Sequence, residues 1–272
     1  RLSNPGLDKK HGFATTTIQV SFQYAKPVKN ARAHRHTPAA LRFVIQGNGA
    51  YTTVNGQQCV MEPGDLILTP KLTWHDHSNE SIEPMLWLDG LDFPLVTALD
   101  QVMQERFAER RQPIEKSSEE VMAKLADSVY RGLPLADYFH YKWRDTEPAL
   151  RALAKAADGW NRCDGYLLDY RNPVSGGPTM TTIQCAVQLL PAKTETEAHR
   201  HTSTVMYHVF HGSGSTQIGE KHFNWQRGDT FVVPLWYAHR HVNDSAGEAM
   251  LFSMSDAPAL RALELYREEA CA

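Results

Sequence analysis

Alternation of apolar and polar positions dominates the chain. Ile18, Val20, Phe22 and Tyr24 alternate with Thr17, Gln19, Ser21 and Gln23, the period of two expected for a strand. Ile183, Cys185, Val187 and Leu189 repeat the pattern, with Gln188 in the place of Gln23, and Leu41, Phe43 and Ile45 form a third row. Val54-Asn55-Gly56 predicts a hairpin turn, and Pro63-Gly64-Asp65 a turn ahead of a strand over Leu66–Thr69. Many short strands between evenly placed turns predict a mainly β protein built as sandwiches or jelly-roll barrels. Mid-chain the composition shifts to helix formers, at 97–111, 117–130 and 147–157. Ser117 and Glu120 have capping-box spacing, Gly159 is placed to end the third segment, and Asp256-Ala257-Pro258 predicts a last helix running to Glu268.

The histidines carry the chemistry. Of 13, eight fall into four His-x-His pairs: His34/His36, His75/His77, His199/His201 and His239/His241. The first two pairs are 41 residues apart and the last two 40. Their surroundings recur too: Ala33-His34-Arg35-His36-Thr37 returns as Ala198-His199-Arg200-His201-Thr202, and Gly64-Asp65, Pro70 and Asn79 return as Gly228-Asp229, Pro234 and Asn243. The offset is 165 residues, then 164, as expected for a duplicated domain with one deletion. Alternate residues of a strand share a face, so His34 and His36 converge on one ion, with His75 arriving from another strand as a third nitrogen. Three imidazoles suit zinc, copper, nickel or iron better than calcium or magnesium.

Composition narrows the classes. A length of 272 residues fits two medium domains, and 42% hydrophobic with 22% charged residues is the composition of a folded globular chain. A net charge of -3 disfavours a nucleic-acid partner, and no run is long and apolar enough for a membrane helix. Cys59, Cys163, Cys185 and Cys271 form no Cys-x-x-Cys pair, which fits free thiols in a reducing compartment, and no signal peptide is evident. A cytoplasmic location is therefore expected; the chain opens at Arg1, which leaves open what precedes it.

Each repeat resembles a cupin. Gly64-x5-Pro70-x-Leu72-x2-His75-x3-Asn79 and Gly228-x5-Pro234-x-Trp236-x2-His239-x3-Asn243 match the second cupin motif, except that Leu72 and Trp236 stand where it has glycine. The glutamate of the first motif is absent from both copies, which weakens a reading as a manganese oxalate decarboxylase. The resemblance implies two cupin (double-stranded β-helix, jelly-roll) domains joined by a helical linker: an N-terminal, catalytic cupin over 1–96, the linker over 97–160, and a C-terminal cupin with a terminal helix over 161–272.

More narrowly, the run from Ala33 to Ile45, Trp74-His75-Asp76-His77 and Trp87-Leu88-Asp89-Gly90-Leu91-Asp92 resemble the gentisate 1,2-dioxygenase family, as do His199-Arg200-His201-Thr202-Ser203 and Ser255-Asp256-Ala257-Pro258. Salicylate and 1-hydroxy-2-naphthoate dioxygenases share that family. The resemblance implies a non-haem Fe(2+) enzyme that cleaves a small aromatic carboxylic acid with O2, gentisate giving maleylpyruvate, and a homo-oligomer, by family a tetramer. His34, His36 and His75 are its expected iron ligands and Arg42 its carboxylate anchor, a planar donor fork in an otherwise apolar strand. His77 is the expected proton donor or acceptor, Gln23 a substrate contact, Asp89 the acceptor for the ring's 5-hydroxyl, and Trp74 and Trp87 cavity wall. In the second copy His199, His201 and His239 reproduce the ligands, but Tyr207, Ser253 and Ala238 replace Arg42, Asp89 and Trp74. Catalysis is therefore expected in the N-terminal cupin, and whether the second triad holds metal is left open. A bicupin that binds a ligand without catalysis is the competing class.

Overall fold

The period-two segments form strands in a computed structural model, which describes residues 1–7, 12–131 and 139–271. The chain divides into two units, Arg1–Trp143 with Asn172–Gly176, and Arg144–Arg171 with Gly177–Ala272. The first begins with β1 (Gln19–Ala25), β2 (Lys29–His36), β3 (Ala40–Gln46), β4 (Ala50–Val54), β5 (Gln57–Val60), β6 (Leu66–Thr69), β7 (His75–Asn79) and β8 (Met85–Leu91). There follow α1 (Phe93–Ala98), β9 (Gln104–Arg106), β10 (Lys116–Ser117), α2 (Ser118–Arg131), β11 (His140–Tyr141) and α3 (Trp143–Leu153), the last lying almost wholly in the second unit. The strands of the first unit make two sheets, β1-β8-β3-β6-β11 and β10-β5-β4-β7-β2-β9.

The second unit continues with β12 (Tyr166–Asp169), β13 (Gln184–Leu190), β14 (Thr194–Glu195), β15 (His199–His201), β16 (Val205–His211), β17 (Ser213–Ile218) and β18 (Lys221–Gln226). It ends with β19 (Thr230–Val233), β20 (His239–Asn243), β21 (Ala249–Ser255), α4 (Ala257–Ala262) and β22 (Glu268–Ala270). Its sheet orders, β12-β13-β21-β16-β19 and β18-β17-β20-β15-β22, repeat those of the first unit strand for strand along most of each path.

Local signals placed several elements correctly. Asn55 (φ 44°) and Gly56 (φ 76°) both take the left-handed conformation of a two-residue hairpin turn between β4 and β5. At the start of α2 the Ser117 amide donates to Glu120 Oε2 (2.6 Å) and the Glu120 amide to Ser117 Oγ (3.2 Å), the reciprocal bonds of a capping box.

The segment over 97–160 is not a uniformly helical linker. The expected helix over 97–111 ends at Ala98, where Leu99 caps it and Asp100 turns left-handed (φ 55°). Residues 104–106 then pair with β2 as an edge strand, and 268–270 pair with β15 in the same way, 164 positions later. The final helix likewise stops at Ala262, with Glu264 at φ 59°. The repeat thus extends through Arg106, past the expected boundary at residue 96. Strand pairing with distant residues overrides helix propensity here.

The sense of β1 also differs from a simple apolar-inward strand. Ile18 and Val20 are buried (1% and 0% exposed), but Phe22 and Tyr24 of the same row are 36% and 62% exposed, and the polar row Gln19, Ser21 and Gln23 lines a cavity. The packed core lies elsewhere in the barrel, around Val44, Val54, Met61, Ile67, Met85 and Phe139.

One buried ion pair ties the post-barrel segment to the first unit. His140 Nε2 bonds Asp65 Oδ2 (2.8 Å) with both side chains inaccessible, His140 Nδ1 lies 2.9 Å from Ser118 Oγ, and the Trp143 amide donates to Asp65 Oδ1 (2.8 Å). Burial alone would lower the His140 pKa, but bonds to Asp65 and Cys59 outweigh it and push the value up to about 9. Because this exceeds the unfolded value near 6.5, the stabilisation is complete below that pH and is lost as pH rises through about 9. His140→Ala leaves Asp65 buried without its cation, so chemical denaturation should show the unit's stability reduced by about 3–5 kcal/mol. A variant within about 0.5 kcal/mol of wild type would remove the pair from the set of structural anchors.

Candidate active site

Strand register brings the first triad together. His34 lies opposite His75 across β2 and β7, and His36 is two residues further along the same face. Ring centroids are 4.4 Å apart for His34–His75, 4.8 Å for His36–His75 and 5.6 Å for His34–His36, and one nitrogen of each lies within 4.8 Å of the others. Each Nδ1 meets a backbone carbonyl: Arg32 (2.8 Å), Pro38 (2.7 Å) and Thr73 (3.0 Å), respectively for His34, His36 and His75. A carbonyl only accepts, so Nδ1 carries the proton and the Nε2 lone pair is left for a cation. Burial, reinforced by the positive charge of Arg42, pushes the His75 pKa down to about 2, and burial foremost lowers His36 as well, keeping both neutral and ready to ligate. The residues therefore fit a nitrogen-preferring divalent metal.

The triad is braced from the opposite face of its strand. Arg35, between the two histidines, bonds Glu105 of β9 (Nε–Oε2 2.6 Å) and stacks 4.5 Å over Trp74, the neighbour of His75. At the turn before β7 the Leu72 amide donates to the His36 carbonyl (2.9 Å). Leu72 sits at φ 60° and Trp236 at φ 63°, so both copies keep the left-handed turn of the cupin motif without its glycine.

A cavity of about 680 Å³ opens beside these histidines, lined by His77, Arg42, Asp89, Gln23 and Trp87 as well as the triad. All seven expected site residues thus share one space. Trp74 does not line it; the indole packs edge-on against Phe107 (5.0 Å) under Arg35. His77 Nδ1 is 2.9 Å from Thr52 Oγ1, which leaves Nε2 for a ligand, and burial holds its pKa well below the ordinary value. Arg42 and Asp89 are cross-strand neighbours, both buried, with Nε 3.5 Å from Oδ1. Arg42 also donates to Thr69 Oγ1 (3.3 Å), and Asp89 accepts from Trp87 Nε1 (2.9 Å). Burial raises the Asp89 pKa, opposed by Arg42, Trp87 and Gln23, whereas burial lowers that of Arg42, opposed by Asp89. Arg42 is thus half of an ion pair inside the cavity.

Sequence reasoning missed further lining residues: Gln19 and Ser21 on β1, Lys26 just after it, and Lys29 at the start of β2. The period that singled out Gln23 puts Gln19 and Ser21 on the same face; the lysines carry no local signal.

The second triad is almost superimposable, with centroid distances of 4.2, 5.0 and 5.5 Å among His199, His201 and His239. Two copies of one fold, each with three converging imidazoles, and a cavity beside the first set, define a bicupin with a metal centre. The family model for the cupin domain matches residues 22–91 and 186–255. The chain is 39% identical to gentisate 1,2-dioxygenase 1 of Aquipseudomonas alcaligenes over 98% of its length and 77% of that protein. It is 38% identical to 5-aminosalicylate 1,2-dioxygenase of Comamonas sp over 99% of its length and 73% of the relative. Salicylate 1,2-dioxygenase from Pseudoaminobacter salicylatoxidans, solved as adducts with gentisate, superposes with a TM-score of 0.87 at 30% identity, covering 98% of this chain and 75% of that one. The chain belongs to the bicupin family of aromatic-ring-cleaving dioxygenases, which decides between an enzyme and a ligand-binding bicupin in favour of the enzyme. Among the described residues no helix is long and apolar enough to cross a membrane.

Burial also keeps His77 and, in the second unit, His199, His201, His208, His239 and His241 neutral, with pKa values displaced downward. Folded values below the unfolded 6.5 mean that the unfolded chain binds more protons as pH falls from that value, so stability is lost in that direction. Each such group contributes up to about 1.4 kcal/mol per pH unit. Metal-free protein should therefore melt at progressively lower temperature from pH 6.5 to 5, more steeply than one histidine could produce. A flat melting temperature over that range would contradict the neutral, buried assignment.

Proposed function

We propose that the N-terminal cupin cleaves gentisate with dioxygen, using a ferrous ion held by His34, His36 and His75, to give maleylpyruvate. The observation that carries this reading is that the triad and the Arg42–Asp89 pair line the same cavity. Bound at the triad, iron supplies a meeting point for dioxygen and the electron-rich ring. The ring bond between the carboxyl-bearing and hydroxyl-bearing carbons breaks, and both oxygen atoms enter the product.

The chain's own residues bind, orient and handle protons. Arg42 presents a planar guanidinium to the substrate carboxylate, its position set by Asp89 and Thr69. Asp89, whose raised pKa reflects burial, receives the ring hydroxyl opposite the cleaved bond, and Gln23 contacts the substrate from β1. His77 takes or returns a proton at Nε2, because Thr52 occupies Nδ1. Lys26 and Lys29 add positive charge at the lining, in keeping with an anionic substrate. Salicylate and 5-aminosalicylate are the competing substrates, since relatives bear those names. A homotetramer belongs to this reading through the family resemblance alone.

Oxygen uptake tests it directly: with ferrous iron added, gentisate should be consumed mole for mole with O2, faster than salicylate or 5-aminosalicylate. No uptake with gentisate, alongside turnover of salicylate, would reassign the substrate.

His34→Ala and His75→Ala each remove one of three ligands. Both proteins should contain much less iron by metal analysis and lose turnover while keeping their circular-dichroism spectrum. Full activity in either would end the ligand assignment.

Arg42→Ala should lower kcat/KM roughly ten- to hundredfold, the value of a charge-assisted contact of about 1.5–3 kcal/mol. Arg42→Lys keeps the charge opposite Asp89 but loses the fork, so it should recover only part. An alanine variant with wild-type kcat/KM would take Arg42 out of the site.

A further inference from the structure

The two triads have nearly the same geometry in opposite surroundings. Corresponding ring distances differ by 0.1 to 0.2 Å (4.4 against 4.2, 4.8 against 5.0, 5.6 against 5.5). Two of the three rings also share their orientation: His201 Nδ1 donates to the Ser203 carbonyl (2.8 Å) and His239 Nδ1 to that of Tyr237 (3.2 Å), whereas His199 Nδ1 has no hydrogen-bond partner. In the second copy all three rings are buried, and His239 Nε2, on a residue 1% exposed, has no hydrogen-bond partner. An orphaned imidazole nitrogen in so dry a place is costly unless an ion takes its lone pair.

Charge differs next. Near the first triad stands the cation Arg42, whose field acts on His36 and His75. Near the second, Asp164 Oδ1 lies 3.9 Å from His199 Nε2; burial, with Glu268 and Asp169, raises the Asp164 pKa to about 7, a cost of crowded acid groups that a bound cation would relieve. Glu268, opposite His201 in the register of β15 and β22, acts on both His199 and His201. The position eight residues beyond the first histidine is Tyr207, stacked on Phe231 (5.2 Å, 18°) and edge-on to His241 (4.9 Å). That tyrosine belongs to the packed core with Val205, Trp225 and Leu251, and faces Ser253 where Arg42 faces Asp89. A cation is favoured at this triad; a carboxylate is repelled and has no guanidinium to meet.

We infer that His199, His201 and His239 hold a second divalent transition-metal ion, retained by the charge of Asp164 and Glu268 and closed to aromatic acids by Tyr207 and Phe231. This ion stabilises the C-terminal barrel and takes no substrate. Its exclusion of aromatic acids rests on the dioxygenase reading above; its existence does not.

Cobalt(II) titration of the metal-free chain, followed by absorption, separates the sites. Wild type should bind two equivalents, and His75→Ala and His239→Ala should each lose one. Cobalt should raise the melting temperature of the His75→Ala protein, in which the second triad is the intact one. Asp164→Asn keeps all six histidines and should weaken one of the two cobalt affinities roughly tenfold, a test that survives if His239→Ala fails to fold. Gentisate should alter the cobalt spectrum of the His239→Ala protein and leave that of the His75→Ala protein unchanged. A wild-type stoichiometry of one, or two equivalents retained in His239→Ala, would overturn the second site. Unchanged affinities in Asp164→Asn, or a response of the His75→Ala spectrum to gentisate, would overturn its retention by charge or its closure. A gentisate-silent His239→Ala protein with the two-equivalent count intact would instead count against the substrate proposed for the first site.

Discussion

Three imidazoles must point their Nε2 lone pairs at one place, and the architecture of each barrel follows from that demand. A neutral histidine ligates through one nitrogen only if the other is committed, and backbone carbonyls two residues away make the commitment for His34, His36 and His75. Such bonds hold only while the strands keep their register. The residue between the two histidines then becomes the place to anchor the strand, because its side chain leaves by the other face. Arg35 there reaches Glu105 and Trp74, and Arg200 reaches Glu269 and Trp236. The stacking tryptophans stand at different points of the repeat, two residues apart in the turn before the third ligand. The two copies satisfy one mechanical need with different residues.

The edge strands β9 and β22 exist for the same reason. Each pairs with the His-x-His strand and supplies the glutamate that the intervening arginine needs. Without such a strand, β2 and β15 would be exposed sheet edges, a liability in their own right.

What distinguishes the copies is the set of charges and rings around the triads. In the first unit a buried arginine and aspartate share the cavity, an arrangement with no merit as a stabilising core, since two desolvated charges at 3.5 Å repay little of their desolvation. A pair of that kind persists where a ligand needs one of its members. The Asp65–His140 pair is different in kind: both groups are fully enclosed, and further bonds to Ser118 and Trp143 satisfy their remaining atoms. One pair faces a cavity; the other fastens the segment after the barrel to the sheet.

Much of this was legible in the residues alone. The duplication, the histidine sets, the β4–β5 turn and the cap of α2 are local patterns, and local patterns survive because each depends on neighbours in the chain. The triad itself was readable because strand parity puts His34 and His36 on one face whatever the tertiary fold. Parity, however, says only which residues share a face and never which face meets a cavity. Only the folded barrel showed that Gln19, Ser21 and Gln23 line the cavity and that Phe22 and Tyr24 are exposed. The strand at 104–106, the Arg42–Asp89 pair and the carboxylates beside His199 were likewise decided in three dimensions. Each joins residues tens of positions apart, and chain-local pattern holds no record of such partners until the sheets set their register.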